Sequence, residues 1–180
     1  MKLNRGVSDH PEHARYIANI IAQWNAIEDV AAKLLGIFLG ADVFVASQLF
    51  ASMASSHRLK LIDLTGQRFL AGKPLLGDFD ALVLELDGRL QARNDYAHAL
   101  YGVGDDGGLT ILRRKFDLTK PARAQTALPL DELEAEWARC TATFNRAIEF
   151  HESLWKSLSP AHTQALHMMW LLQDGAKRRE

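Results

Sequence analysis

The sequence has a single cysteine, Cys140, in 180 residues. It therefore carries no internal disulfide framework and suits a reducing cytosol. An excess of one charge is also missing. The formal net charge is −1 at pH 7, so no global field draws the chain to nucleic acid or anionic lipid. Any nucleic-acid contact must come from a local basic patch. No apolar run reaches about 18 residues without a charged or strongly polar residue, and Lys33 and Gln48 interrupt the best candidates. The opening MKLNRGVSDHPEH lacks the apolar run of a signal peptide, so the expectation is a cytoplasmic protein with no membrane partner. His-Glu-x-x-His, Gly-x-Ser-x-Gly and the phosphate-binding Gly-x-x-x-x-Gly-Lys-Ser/Thr are all absent, as is a Glu-x-x-His pair suited to a di-iron bundle.

What is present is an ordinary globular composition, 48% hydrophobic and 24% charged, and a length that predicts one domain over 1–180. A first helix is expected from Ser8 or Asp9, with Pro11 in the first turn. Its apolar residues recur at Ile17, Ile20, Ile21, Trp24, Ile27, Ala31, Leu34, Leu35 and Phe38, with Gly36 and Gly40 as breakers. Glu28 lies on that stripe, where a carboxylate is either at the core's edge or paired inside it. A second helix is expected from Asp42, and Ser55-Ser56 is a candidate break and N-cap. A third helix from about His57 to Phe69 contains Gly66, which weakens its continuity. Ala71-Gly72-Lys73-Pro74 reads as a loop.

A fourth helix from about Asp78 presents Phe79, Leu82, Val83, Leu86 and Leu90 on one face. Continuing that face reaches Arg93, Asn94 and Ala97, so a polar pair interrupts an apolar stripe, as functional sites and buried networks do. Leu100–Val103 and Leu109–Leu112 flank a Gly-Asp-Asp-Gly-Gly turn and predict a β-hairpin insert over about 100–115. The hairpin feeds Arg113-Arg114-Lys115, the one local basic patch. A fifth helix opens at Leu130 with acidic residues that suit its dipole, and carries the stripe Leu133, Trp137, Cys140, Phe144, Ile148, His151, Trp155 and Leu158. A sixth, from His162 to Gln173, is apolar on more than one face and is a candidate oligomer contact. The expected fold is an all-α antiparallel bundle of five to six helices with a hairpin between the fourth and fifth.

The segment Arg93-Asn94-Asp95-Tyr96-Ala97-His98 concentrates the chemistry. The arginine–histidine spacing alone carries no weight: random placement of 13 arginines and 7 histidines in 180 residues gives about 0.5 such pairs. Three occur, at Arg5/His10, Arg93/His98 and Arg146/His151. Arg146 and His151 lie inside one helix on different faces, and Arg5 and His10 lie in the N-terminal tail. Arg93 and His98 instead straddle a helix end, and Asn94 shares a face with His98.

An arginine, a polar residue and a following histidine, late in a helical chain, resemble the motif of the HEPN superfamily. The layout is similar over nearly the whole chain: a long first helix with Trp24 and Glu28, a helix ending in the motif, then a small hairpin. The resemblance implies a helical bundle that dimerises, with the motifs of both protomers meeting in a cleft. It also implies metal-independent RNA cleavage in many members, toxins and defence proteins among them, and loss of catalysis in others. On that basis the expected catalytic residues are Arg93, Asn94 and His98, with no metal and no cofactor. Homodimerisation, an RNA substrate and an antitoxin are the partners implied.

The residue types suit that chemistry. A histidine such as His98 can serve as general acid or base. The Arg93 guanidinium can hold the charge developing on a phosphate bidentately. Asn94 either orients the imidazole or holds a phosphate oxygen. One histidine does not easily act as acid and base at once, so a site shared across a two-fold axis would supply the second. Glu28 and Tyr101 are support candidates, with Glu28 either holding Arg93 in place or neutralising it. Arg113, Arg114 and Lys115 are candidates for tracking an RNA backbone. A catalytically silent HEPN-like binding or regulatory module is the alternative, and the near-neutral charge favours it. His10 and His13, beside Asp9 and Glu12, are most simply a solvated helix start, and Asp78, Asp80, Glu85 and Asp87 a solvated face.

Overall fold

The computed structural model describes residues 7–112, 126–161 and 163–164. Among them are five helices and three short strands. In order they are α1 (Pro11–Leu39), α2 (Val43–Ala51), α3 (Ser55–Leu70), α4 (Leu76–Ala97), β1 (Leu100–Val103), β2 (Leu109–Leu112), β3 (Thr126–Ala127) and α5 (Leu130–Ser157). The fold is thus all-α with a small β insertion after the fourth helix, as the periodicity predicts. The expected sixth helix lies almost wholly outside the described residues.

Local chemistry sets the helix ends. Pro11 occupies the first position of α1, where its missing N–H leaves no bond unmade. The same helix stops at Gly40, whose φ of 58° opens a left-handed turn. There the Gly40 N–H bonds the Ile37 carbonyl at 3.1 Å, and the Ala41 N–H bonds the Gly36 carbonyl at 2.9 Å. Asp42 caps α2, accepting the Phe44 N–H at 2.6 Å. The start of α3 differs from expectation. The helix begins at Ser55, its N-cap is Ala54, and no side chain caps it. The Ser55 hydroxyl is turned to another purpose, donating to Glu28 Oε1 at 2.8 Å.

The chain divides into two compact units, Met1–Asn25 with Gly88–Ala142 and Ala26–Asp87 with Thr143–Glu180. In the first, β1 and β2 pair antiparallel with Tyr101 opposite Ile111, and β3 adds to the far edge of β2 with Ala127 opposite Thr110. This third strand, two residues long, is not visible in the sequence pattern. Leu109 and Ile111 alternate toward the core, as period two requires. They pack with Tyr16, Ile17, Ile20, Tyr96, Leu128, Leu133 and Cys140.

In the second unit, Phe79 is fully buried among Phe38, at 5.3 Å between ring centroids, and Phe150, at 5.7 Å. Gly66 lies directly against the Phe79 ring, where a Cβ would collide with it. The glycine that weakens the helical pattern of α3 therefore does not break it; it makes room for an aromatic ring.

The buried seam of α5 also departs from expectation. Leu133, Glu136, Cys140, Thr143, Ala147, Phe150 and Leu154 are buried, whereas Trp137 and Trp155 are 37% and 38% exposed. A seam stepping alternately by three and four stays on one helix face, while a run of fours drifts around it. Most of the large apolar residues used to trace the stripe sit beside the seam, which instead takes in Glu136, Thr143, Ala147, Phe150 and Leu154.

Candidate functional site

The Arg93–His98 segment forms the last turn of α4 and the step beyond it. The His98 N–H closes that turn on the Asn94 carbonyl at 3.1 Å, and β1 begins two residues later. Arg93 and Asn94 are half-buried, whereas His98 is exposed. The next buried residue after Leu90 is Tyr96, only 4% exposed, which lies about 120° around the helix from Leu90 and anchors this helix end in the core. Its hydroxyl donates to Glu132 Oε1 at 3.2 Å.

Tyr101, a support candidate, reaches back from β1 and donates its hydroxyl to the Tyr96 carbonyl at 2.6 Å. One of the carbonyls left open at the end of α4 is satisfied in this way, and the hairpin is tied to the motif.

Arg93 donates from Nη1 to Asn94 Oδ1 at 3.0 Å. Its Nε is buried without a hydrogen-bond partner. Among the described residues no carboxylate forms an ion pair with it. The neighbouring arginines contrast sharply. One turn earlier on the same helix, Arg89 pairs with the buried Glu136. Glu136 also holds Arg139, whose Nη2 lies 2.7 Å from Oε2. In the second unit Arg146 pairs with Glu85, and Arg58 with Glu28 at 2.7 Å. A half-buried guanidinium with no carboxylate partner among the described residues has the chemistry to pair with an anion.

Glu28 has other partners than the one expected. Its carboxylate accepts from Ser55 and from Arg58 Nη1, and Arg58 also donates from Nε to the Met53 carbonyl at 2.8 Å. This network staples the end of α2 to the start of α3. Arg113, Arg114 and Lys115 lie outside the described residues.

Glu136 and Arg89 are the feature that sequence reading missed. The signal was available, since Glu136 stands three residues after Leu133 and four before Cys140, on the buried seam. Burial and the adjacent Glu136 charge push the Cys140 thiol up to about 11, so it stays protonated and inert at neutral pH.

His10, His13 and His151 have local settings of their own. His13 Nε2 lies 3.0 Å from the Leu128 carbonyl and its ring meets that of His10 edge-on. His151, half-buried on α5, has its imidazole held below the ordinary histidine range by burial and by the Lys33 charge. Among the described residues no three His, Cys, Asp or Glu side chains converge as a metal site would require. Comparison with protein-family models, with curated proteins and with solved structures finds no match to the chain.

Proposed function

We propose that the end of α4 is an RNA-cleaving site of the HEPN type, working without a metal on the 2′-hydroxyl of its substrate. The observation that carries this reading is Arg93: half-buried, oriented by Asn94, unneutralised among the described residues, and five positions before an exposed histidine. In this reading Arg93 holds the scissile phosphate and stabilises the charge that develops on it. His98 moves the proton, as base toward the 2′-hydroxyl or as acid toward the leaving 5′-oxygen. The second proton-transfer group comes from His98 of a second copy, which makes the working form a homodimer. A toxin or defence role with an antitoxin partner fits such an activity. DNA, lacking the 2′-hydroxyl, is not cut.

The test is incubation of the protein with RNA in EDTA. Cleavage yielding 2′,3′-cyclic phosphate ends, lost by about 10²-fold or more in His98→Ala, supports the nuclease. Arg93→Lys, which keeps the charge but loses the fork, is expected to lose most of the activity as well. Undiminished cleavage in both variants refutes the assignment. The net charge of −1 favours a second reading, a catalytically silent HEPN-like module acting by binding. RNA that is bound and released intact, with binding weakened by Arg93→Ala, would select it.

A further inference from the structure

No residue of α2 carries a charge. Ala46 and Phe50 are buried in the second unit, while Phe44, Val45, Gln48, Leu49 and Ser52 are exposed. Their spacing keeps all five within an arc of about 140° on the helix. Phe44 is 51% exposed, Val45 57% and Leu49 41%. A surface helix ordinarily sets its charges on this side, whereas one that is apolar all round packs on two sides.

Beside this face lies a cavity of about 460 Å³, lined by Ile37 of α1, Ala41 and Val43 at the start of α2, and Trp155 of α5. Val43, in its wall, immediately precedes Phe44. Trp155 is 38% exposed, its ring stacked on that of His151. Around the cavity Lys33 and Lys156 balance Asp42 and Glu152, so there is no net charge. At about 150–250 Å² for a whole large side chain, Phe44, Val45, Leu49 and Trp155 leave on the order of 300–450 Å² open to solvent. An interface of standard size buries about 800 Å² per partner, of which roughly 450 Å² is non-polar. This one patch supplies most of that non-polar area, and exposed apolar surface on this scale marks an interaction site.

Charge selects the occupant. RNA and anionic lipid call for an excess of cations, and a charged peptide calls for the opposite sign; the patch offers neither. A two-fold axis lays a surface against its own copy, which an uncharged face permits and a face of one sign resists. A projecting ring beside an open apolar cavity is also complementary to itself under such an axis, because each copy brings both. We propose that α2 and this cavity form a two-fold interface between copies of the chain, with Phe44 of each copy seated against Trp155 in the cavity of the other. The inference concerns the second unit and does not rest on the RNA-cleaving reading, since Arg93 and His98 take no part in it.

Sedimentation velocity from about 1 to 100 μM is expected to show monomer giving way to dimer. Phe44→Asp places a carboxylate in the first turn of α2, where the helix dipole favours it and folding is spared, and should weaken the dimer about tenfold or more. Phe44→Ala and Trp155→Ala should each weaken it, and together by less than the product of the two, as rings that meet across the axis require. Leu84→Asp, at an apolar position 75% exposed on α4, and His98→Ala should leave it unchanged. RNA cleavage is read separately, and its absence leaves this interface standing. A dimer indifferent to Phe44→Asp, or independent effects of Phe44 and Trp155, would overturn the proposal. So would a parent that stays monomeric throughout, which would leave the face to a different protein or a small apolar ligand.

Discussion

Gly66 and Gly88 are both helical glycines, and the structure assigns opposite signs to the same substitution at the two. Replacing glycine by alanine within a helix ordinarily stabilises by about 0.8–1 kcal/mol, since it removes backbone freedom from the unfolded chain. At Gly88 nothing lies within 4 Å of the added methyl group, so Gly88→Ala is expected to deliver that gain. At Gly66 the methyl group meets the Phe79 ring, which is fully buried with Phe38 and Phe150 against it and has nowhere to swing. Overpacking of this kind costs about 1–3 kcal/mol. Set against the propensity gain, Gly66→Ala is left about 0–2 kcal/mol less stable than the parent. The two variants should therefore differ by about 1–3 kcal/mol, read as shifted urea midpoints in circular dichroism at unchanged slope. Combining Gly66→Ala with Phe79→Leu should recover part of the loss, because the smaller side chain admits the methyl group. A Gly66→Ala protein as stable as Gly88→Ala would refute the packing assigned to α3 and α4.

Three further outcomes follow from the buried charges. Glu136→Ala strands Arg89 beside the core and is expected to cost about 3–5 kcal/mol, whereas replacing Arg89 and Glu136 together by methionine should recover most of it in denaturant melts. Burial holds the Cys140 thiol protonated to about 11, against 9.0 unfolded, so the unfolded state loses its proton first as pH rises. Stability should then fall between those values by up to about 2–3 kcal/mol, an effect absent in Cys140→Ala, and thiol labelling at pH 8 should require unfolding. Glu28 and Arg58 should show a coupling of about 1 kcal/mol in a double-mutant cycle, while Glu28→Gln leaves RNA cleavage unchanged because its carboxylate serves α2 and α3.

Element types were legible in the sequence wherever a long pattern repeated. The stripe from Ile17 to Phe38, the helix expected from Asp42 and the glycine turn between Val103 and Leu109 each read directly onto α1, α2 and the β1–β2 hairpin. What the pattern did not carry depends on partners far away in the chain. The start of α3 shifted because the Ser55 hydroxyl serves Glu28, 27 residues earlier, rather than capping its own helix. The strand β3 exists because β2 offers an unpaired edge, and two residues are too short for alternation to show. Gly66 reads as a defect until Phe79 is beside it.

The same distinction decides how far the candidate site was visible. Arg93 and Asn94 were singled out because they broke an apolar stripe; both are half-buried there, and burial at this helix end passes to Tyr96 on the neighbouring face. Breaking the pattern is therefore weak support for a site; Glu136 breaks the seam of α5 far more deeply and is accounted for by Arg89 and Arg139. The distinguishing property is charge balance, which no spacing reveals. Arg58, Arg89, Arg139 and Arg146 all meet a carboxylate within their own unit, whereas among the described residues Arg93 meets the neutral Asn94 amide and no carboxylate. Neutralised arginines have spent their charge on the fold. At Arg93 the charge is still available to a ligand, and that is a stronger reason to place phosphate chemistry there than the arginine–histidine spacing that first drew attention to it.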